Sequence, residues 1–149
     1  MDTNRIVKEL GLKATPKRIA ILEILAEAFC YLGPEEIWRK LQTRFKRIGL
    51  PTVYRNLEEL SNGGVIIKII HPNRKLYYYY CNNTSHHHHF VCIACRRVQD
   101  LEFCGEEKII REVEDTLKGK VVSHLFQVYG LCSDCTLSHA VPTSVSYTH

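Results

Sequence analysis

The sequence predicts an α+β chain in two parts: an N-terminal half of helices ending in a β-hairpin, and a smaller C-terminal unit of strands and one helix held by a metal ion. Three observations predict it. Apolar residues recur at helical spacing up to about residue 62 and then switch to short strand-like runs. Residues 1–80 carry 14 Lys and Arg against 8 Asp and Glu, whereas residues 81–149 carry 6 against 8, so the net positive charge lies in the first half. Finally, Cys92-x-x-Cys95 is matched by Cys132-x-x-Cys135 after 36 intervening residues. Each pair can place two sulfurs toward one point, and two pairs can close a tetrahedron around one ion. A lone pair would read as a redox or disulfide motif, but two matched pairs favour metal.

The first half builds as follows. Residues 3–10 form a short amphipathic helical stretch that Gly11 breaks. Thr15-Pro16 supplies an N-cap and a first-turn proline for a helix to about Ala28, with Ile19, Leu22, Ile24 and Leu25 on its apolar face. Gly33-Pro34-Glu35-Glu36 opens the next helix, which buries Ile37, Trp38, Leu41 and Phe45. LPTVYRNLEELSNGG then gives a helix whose core face is Val53, Leu57 and Leu60 and which stops at Gly63-Gly64. Val65 to Ile70, a turn at Pro72-Asn73 and Leu76 to Tyr80 read as a hairpin.

Helices followed by a hairpin wing describe a winged helix-turn-helix, the architecture that sets one helix into the major groove of double-stranded DNA. The face of that helix left over from the core is Thr52, Tyr54, Arg55 and Asn56, groups suited to phosphates and base edges. Lys13, Lys17 and Arg18 on one side and Arg44, Lys46 and Arg47 on the other flank it with positive charge.

In the second half, His87 to Ile93 is a compact run that ends apolar, Val98 to Phe103 a strand, Glu106 to Leu117 an amphipathic helix with Ile109, Ile110, Val113 and Leu117 as its stripe, and Val121 to Tyr129 another strand. So small a unit is marginal alone, and a structural zinc plus dimerisation would supply what its core lacks. The organisation expected is a DNA-binding domain over 1–81, a metal-binding dimerisation domain over 82–136 and a disordered tail over 137–149. No apolar run approaches the roughly 20 residues of a membrane span, and the charged N-terminus lacks the core of a signal peptide. A reducing cytoplasm is therefore expected, where thiols favour zinc over disulfides.

GLKATPKRIAILEIL, LPTVYRNLEELSNGGVI, HHHHFVCIAC and YGLCSDC together resemble the ferric uptake regulator family of bacterial metal-dependent repressors, over residues 10–135 in order. The resemblance implies a homodimer that binds a palindromic operator when loaded with a regulatory divalent metal. It implies that Cys92, Cys95, Cys132 and Cys135 hold the structural zinc, and that Lys13, Arg18, Tyr54 and Arg55 lie at DNA-contacting positions. It also implies a regulatory metal site, for which this chain offers Cys81, His87, His89 and Asp100. The usual histidine before the second main helix is replaced by Tyr31, and the usual carboxylate at the wing's end by Tyr80-Cys81. A thiolate there softens the site and favours zinc over ferrous iron. His71 can complete this site or serve as a polar turn residue.

A second metal site is implied for His86, His88, Glu107 and His124. Successive residues of a strand face opposite sides, so His87 with His89 can serve one ion while His86 with His88 serves another. Cys30 and Cys104 receive no role. The alternatives to a zinc-leaning repressor are an iron-sensing or peroxide-sensing regulator of the same family and, more remotely, a zinc hydrolase using Asp100 or Glu107 as base.

Overall fold

The computed structural model describes residues 2–83 and 87–138. It divides into two compact units, Met1–Thr84 and Ser85–His149. The predicted tail lies outside the described residues from 139 onward, as does His86.

Among its described residues the first unit has four helices and one hairpin: α1 (Thr3–Glu9), α2 (Pro16–Glu27), α3 (Pro34–Gln42), α4 (Leu50–Asn62), β1 (Ile66–Ile70) and β2 (Leu76–Tyr80). Helices α1, α2 and α3 start where a side chain satisfies an otherwise unpaired amide. The Asp2 carboxylate accepts from Arg5 N (3.0 Å), the Thr15 hydroxyl from Arg18 N (3.3 Å), and the Glu36 carboxylate reaches back to Gly33 N (3.1 Å). Prolines open α2, α3 and α4, where a missing N–H costs nothing. Val7, Ile21, Leu22, Leu25, Ile37, Leu41, Val53, Leu57, Leu60, Ile66 and Tyr78 are packed out of water in one core. On α2 the deepest positions are Ala20, Ile21, Leu22 and Leu25, while Ile19 and Ile24 are half-buried, because this helix meets α1, α3, α4 and β2 rather than one partner. Trp38 is anchored through its indole N–H to the carbonyl of Ile48 (2.8 Å).

Gly64, in the left-handed region (φ 82°), turns the chain from α4 into the hairpin. β1 and β2 pair antiparallel from Ile66↔Tyr80 to Ile70↔Leu76, the geometry of a wing following a recognition helix.

The second unit is a three-stranded sheet in the order β4-β3-β5, with β3 (His88–Cys92) central, β4 (Val98–Leu101) antiparallel to it and β5 (Gln127–Gly130) parallel. Between β4 and β5 lies α5 (Glu106–Arg111), which continues as a π-helical turn over Glu112–Thr116 closed by Leu117 N to Glu112 O at 3.2 Å. A last helix, α6, spans Ser133–Ser138.

Two strands are shorter than their sequences suggest. The run from Val121 is expected to be extended to Tyr129 but is ordered as strand only from Gln127, and the run from Val98 stops at Leu101 rather than Phe103. The cause is the length of the central strand. β3 begins at His88, which already faces Leu101, and its His89 faces Gln127, so residues beyond find no ladder partner. The apolar stripe expected on α5 is present but uncovered in the single chain: no residue of α5 or its π-helical turn is buried, and Ile109 and Leu117 are exposed, as are Phe103, Val122 and Leu125 nearby in sequence.

No helix among the described residues is long and apolar enough to cross a membrane. Because Leu57 is fully buried, Leu57→Ala is expected to destabilise the first unit by about 2–5 kcal/mol, measured by denaturant titration followed through the fluorescence of Trp38, the only tryptophan.

Candidate metal centres and nucleic-acid interface

The four-cysteine centre is built by the ends of two neighbouring strands. Cys92 ends β3 and Cys95 follows in the turn, where Arg96 takes a left-handed conformation (φ 67°). Cys132 follows β5, and Cys135 lies in the first turn of α6. β3 and β5 are paired with Cys92 opposite Gly130, so strand pairing itself delivers the two sulfur pairs to one place. A Cβ at Gly130 would come 3.2 Å from the Phe90 ring, which would have to yield slightly to admit it. All four sulfurs lie within 4.8 Å of one another, and Cys95 Sγ and Cys132 Sγ are 3.6 Å apart. A tetrahedral zinc with Zn–S near 2.3 Å has an S–S edge of about 3.8 Å, so the cage fits that ion. None of the seven cysteines is in a disulfide.

The backbone prepares the site for anionic sulfur. Burial pushes the Cys92 thiol up, but the amides of Cys95 (3.5 Å) and Cys132 (3.4 Å), with that of Ala94, donate to its sulfur and bring it down to about 6. Cys95 is raised, by burial first. Cys135 is pushed up to about 12 by burial and by hydrogen bonds among the neighbouring thiols. Arg97, paired with Asp134 at 3.0 Å, fastens the β3–β4 turn to the start of α6 beside them.

A second cluster sits on one face of β3. His87 Nε2 and His89 Nε2 are 3.0 Å apart and lie 3.6 and 3.8 Å from Asp100 Oδ1, which β4 places directly opposite His89. Burial, with the neighbouring His87, lowers the pKa of His89 and keeps it in the neutral form that binds cations. Cys81 belongs to the first unit, half-buried at the position immediately after β2.

The opposite face of β3 carries His88, with Cys104 and His124 gathered against it. His88 Nε2 lies 3.0 Å from Cys104 Sγ and 3.3 Å from His124 Nε2, and Cys104 Sγ is 3.8 Å from His124 Nε2. Glu107 is exposed and outside this group, contrary to expectation; the acid beside it is Glu106, whose Oε1 is 3.6 Å from His124 Nδ1. In the first turn of α5, adjacent residues point about 100° apart, so only one of the two acids can face His124. Cys104 had no sequence signal beyond its residue type, because its separations from His88 and His124 match no ligand motif.

On α4, Tyr54 and Arg55 are exposed and Thr52 is half-buried, and Lys13 is exposed in the α1–α2 connection. Asn56 and Arg18 correct the sequence reading. Asn56 is buried, accepting from Arg18 Nε (3.0 Å) and donating to the Thr52 carbonyl (2.9 Å). Arg18 is nine-tenths buried, and its remaining nitrogens bond the Lys13 carbonyl (2.8 Å) and the Glu59 carboxylate. Both side chains hold α2 against α4. Tyr31 is likewise buried, its ring 4.9 Å from Tyr77 and 6.0 Å from His71, and His71 Nδ1 accepts from Asn73 N (3.0 Å), so His71 acts as a turn residue.

Comparison with known proteins agrees with this arrangement. The family model described as the ferric uptake regulator family matches residues 9–129. The ferric uptake regulation protein of Vibrio anguillarum is 34% identical over 136 residues, covering 89% of each chain. The crystal structure of the Vibrio cholerae ferric uptake regulator matches at 30% identity with a TM-score of 0.60, covering 88% of this chain and all of that one. A zinc uptake regulator complexed with zinc and DNA shares the fold at 19% identity, with a TM-score of 0.73 and coverage of 93% and 97%.

Thiolates are the metal-binding form, so protons compete with the ion at the cysteine cage. Cys92 is largely ionised above about pH 6, whereas Cys95 and Cys135 must each lose a proton. Zinc affinity at this centre is therefore expected to rise at least about tenfold per pH unit through the neutral range, measured by competition with a chelator of known proton affinity. An affinity that does not change with pH would contradict the cage.

Proposed function

The chain belongs to the ferric uptake regulator family, and from that premise we propose that this metal-responsive regulator is a zinc-leaning, DNA-binding repressor that acts as a homodimer in the cytoplasm on a palindromic operator. Members of the family are transcription regulators rather than enzymes, so the hydrolase alternative falls. The division of labour follows the two parts of the chain. Residues 1–81 form the DNA-binding domain, and residues 82–136 the metal-binding dimerisation domain. Thr52, Tyr54, Arg55 and Lys13 meet the operator. The Cys92, Cys95, Cys132 and Cys135 cage holds a structural zinc. The uncovered apolar side chains of Ile109 and Leu117, too large a loss to leave in water, support a second copy as the partner of this unit.

The observation that carries the regulatory reading is the convergence of His87, His89 and Asp100, with a cysteine, Cys81, six residues before His87 in the sequence. We assign Cys81 as the fourth ligand. Cys81, His87, His89 and Asp100 would hold a divalent ion, which would supply a cross-link among them. Cys81, bound in that set, fixes the wing end, so both reading helices of the dimer are held at a spacing that fits successive major-groove faces. With Cys81 released, the linker regains its freedom and operator affinity falls.

The lean to zinc rests on ligand chemistry. Thiolate and imidazole suit zinc, and Asp100 alone supplies an oxygen that ferrous iron would favour. Operator binding, followed by fluorescence anisotropy at fixed salt, is expected to need zinc in the native protein and to weaken at least tenfold in Cys81→Ser, with the structural zinc retained. Restoration by ferrous iron in both proteins alike would return the chain to the iron-responsive or peroxide-responsive reading.

A further inference from the structure

The face of β3 that carries His88 is not used by the regulatory reading, yet it gathers three soft donor atoms. His88 Nε2, Cys104 Sγ and His124 Nε2 form a triangle with sides of 3.0, 3.3 and 3.8 Å. Such a triangle has a point roughly 2 Å from all three corners, close to the bond lengths of zinc to imidazole and thiolate. Three separate elements contribute: His88 from β3, Cys104 from the segment before α5, and His124 from the segment before β5. His88 is more than nine-tenths buried, and the Phe126 ring packs against it edge-to-face with the ring centroids 5.2 Å apart.

A hydrogen-bonded trio would be the plainer account, and the position of Glu106 weighs against it. Its carboxylate faces Nδ1 of His124, and that field favours the proton on Nδ1. Nε2 of His124 is then a lone pair turned toward the other two donors. A carboxylate behind a histidine whose other nitrogen faces a cluster of donors is the arrangement that orients metal-binding imidazoles. We propose that, in the second metal site that the family resemblance implies on this face of β3, Cys104 is the thiolate ligand beside His88 and His124, taking the place expected for Glu107, with Glu106 as the positioning residue that sets the tautomer of His124. The site deepens the metal-responsive reading given above but is independent of Cys81. A thiolate here, where Glu107 had been expected, selects zinc-class ions against manganese and ferrous iron.

Cobalt(II) is the probe, because a cobalt–thiolate bond gives a charge-transfer absorption that a cobalt–carboxylate bond does not. The dimeric protein with its four-cysteine zinc left in place is titrated with cobalt as Cys81→Ser and as the double variant Cys81→Ser/Cys104→Asp. The Cys81→Ser protein is expected to show the charge-transfer band. The Cys104→Asp change should remove it while cobalt still binds and the preference shifts toward manganese. Glu106→Gln, which leaves all three donors in place, is expected to weaken cobalt binding about 10–100-fold with the band intact. An identical band with or without Cys104, or an unchanged affinity in Glu106→Gln, would overturn the proposal. The regulatory reading fails separately: if Cys81 is not a ligand, the band of the native protein will equal that of Cys81→Ser, whatever Cys104 does.

Discussion

The second unit depends on the pairing of β3 with β5. These two parallel strands are separated by more than thirty residues of chain, and a parallel pair needs such a crossover, whose closure entropy must be recovered once the strands meet. Hydrophobic burial recovers little of it, because α5 has no fully buried residue within one chain and the buried cluster at the strand ends consists of Cys92, Cys132 and Cys135 with Phe90 and Leu131 against them. The recovery comes from sulfur. Cys92 and Cys132 sit at matching ends of the two strands, and amides from both sides of the cage donate to one sulfur. A small sheet that cannot pack a sufficient core substitutes a coordination centre for it.

With the strands fixed by that centre, β3 becomes a partition. Its alternation sends His87 and His89 to one side, where Asp100 waits on β4, and His88 to the other, where Cys104 and His124 wait. Histidines adjacent in sequence are thereby kept in separate clusters. The first unit is organised by different physics. There an apolar core fixes the helices, and the polar bracket of Arg18, Asn56 and Glu59 ties α2 to the helix that carries Tyr54 and Arg55. Buried polar groups of this kind are costly unless every one is matched, and here the Arg18 guanidinium has three partners.

Much of this was legible in the residues, and the exceptions have physical reasons. Helix starts were readable because Thr15-Pro16 and Gly33-Pro34 encode them locally, and the hairpin because two short runs flank a turn. The paired Cys-x-x-Cys motifs pointed to the cage because ligand spacing is also local. What was not legible depends on partners distant in sequence. Asn56 reads as a surface polar residue until Arg18, 38 residues earlier, is placed against it. Glu107 and Glu106 cannot be told apart by sequence, since the choice rests on the phase of α5 relative to His124. The strand expected from Val121 is cut short by the length of β3, a property of another segment.

The central claim is that β3 separates the two metal centres on its faces while the cysteine cage holds its end. The most direct measurement is an anomalous difference map at the zinc absorption edge from crystals of the zinc-loaded dimer. The account predicts three peaks per chain: one among Cys92, Cys95, Cys132 and Cys135, one at His87, His89 and Asp100, and one at His88, Cys104 and His124. A single peak shared between the two faces of β3, or none at the cysteine cage, would contradict it.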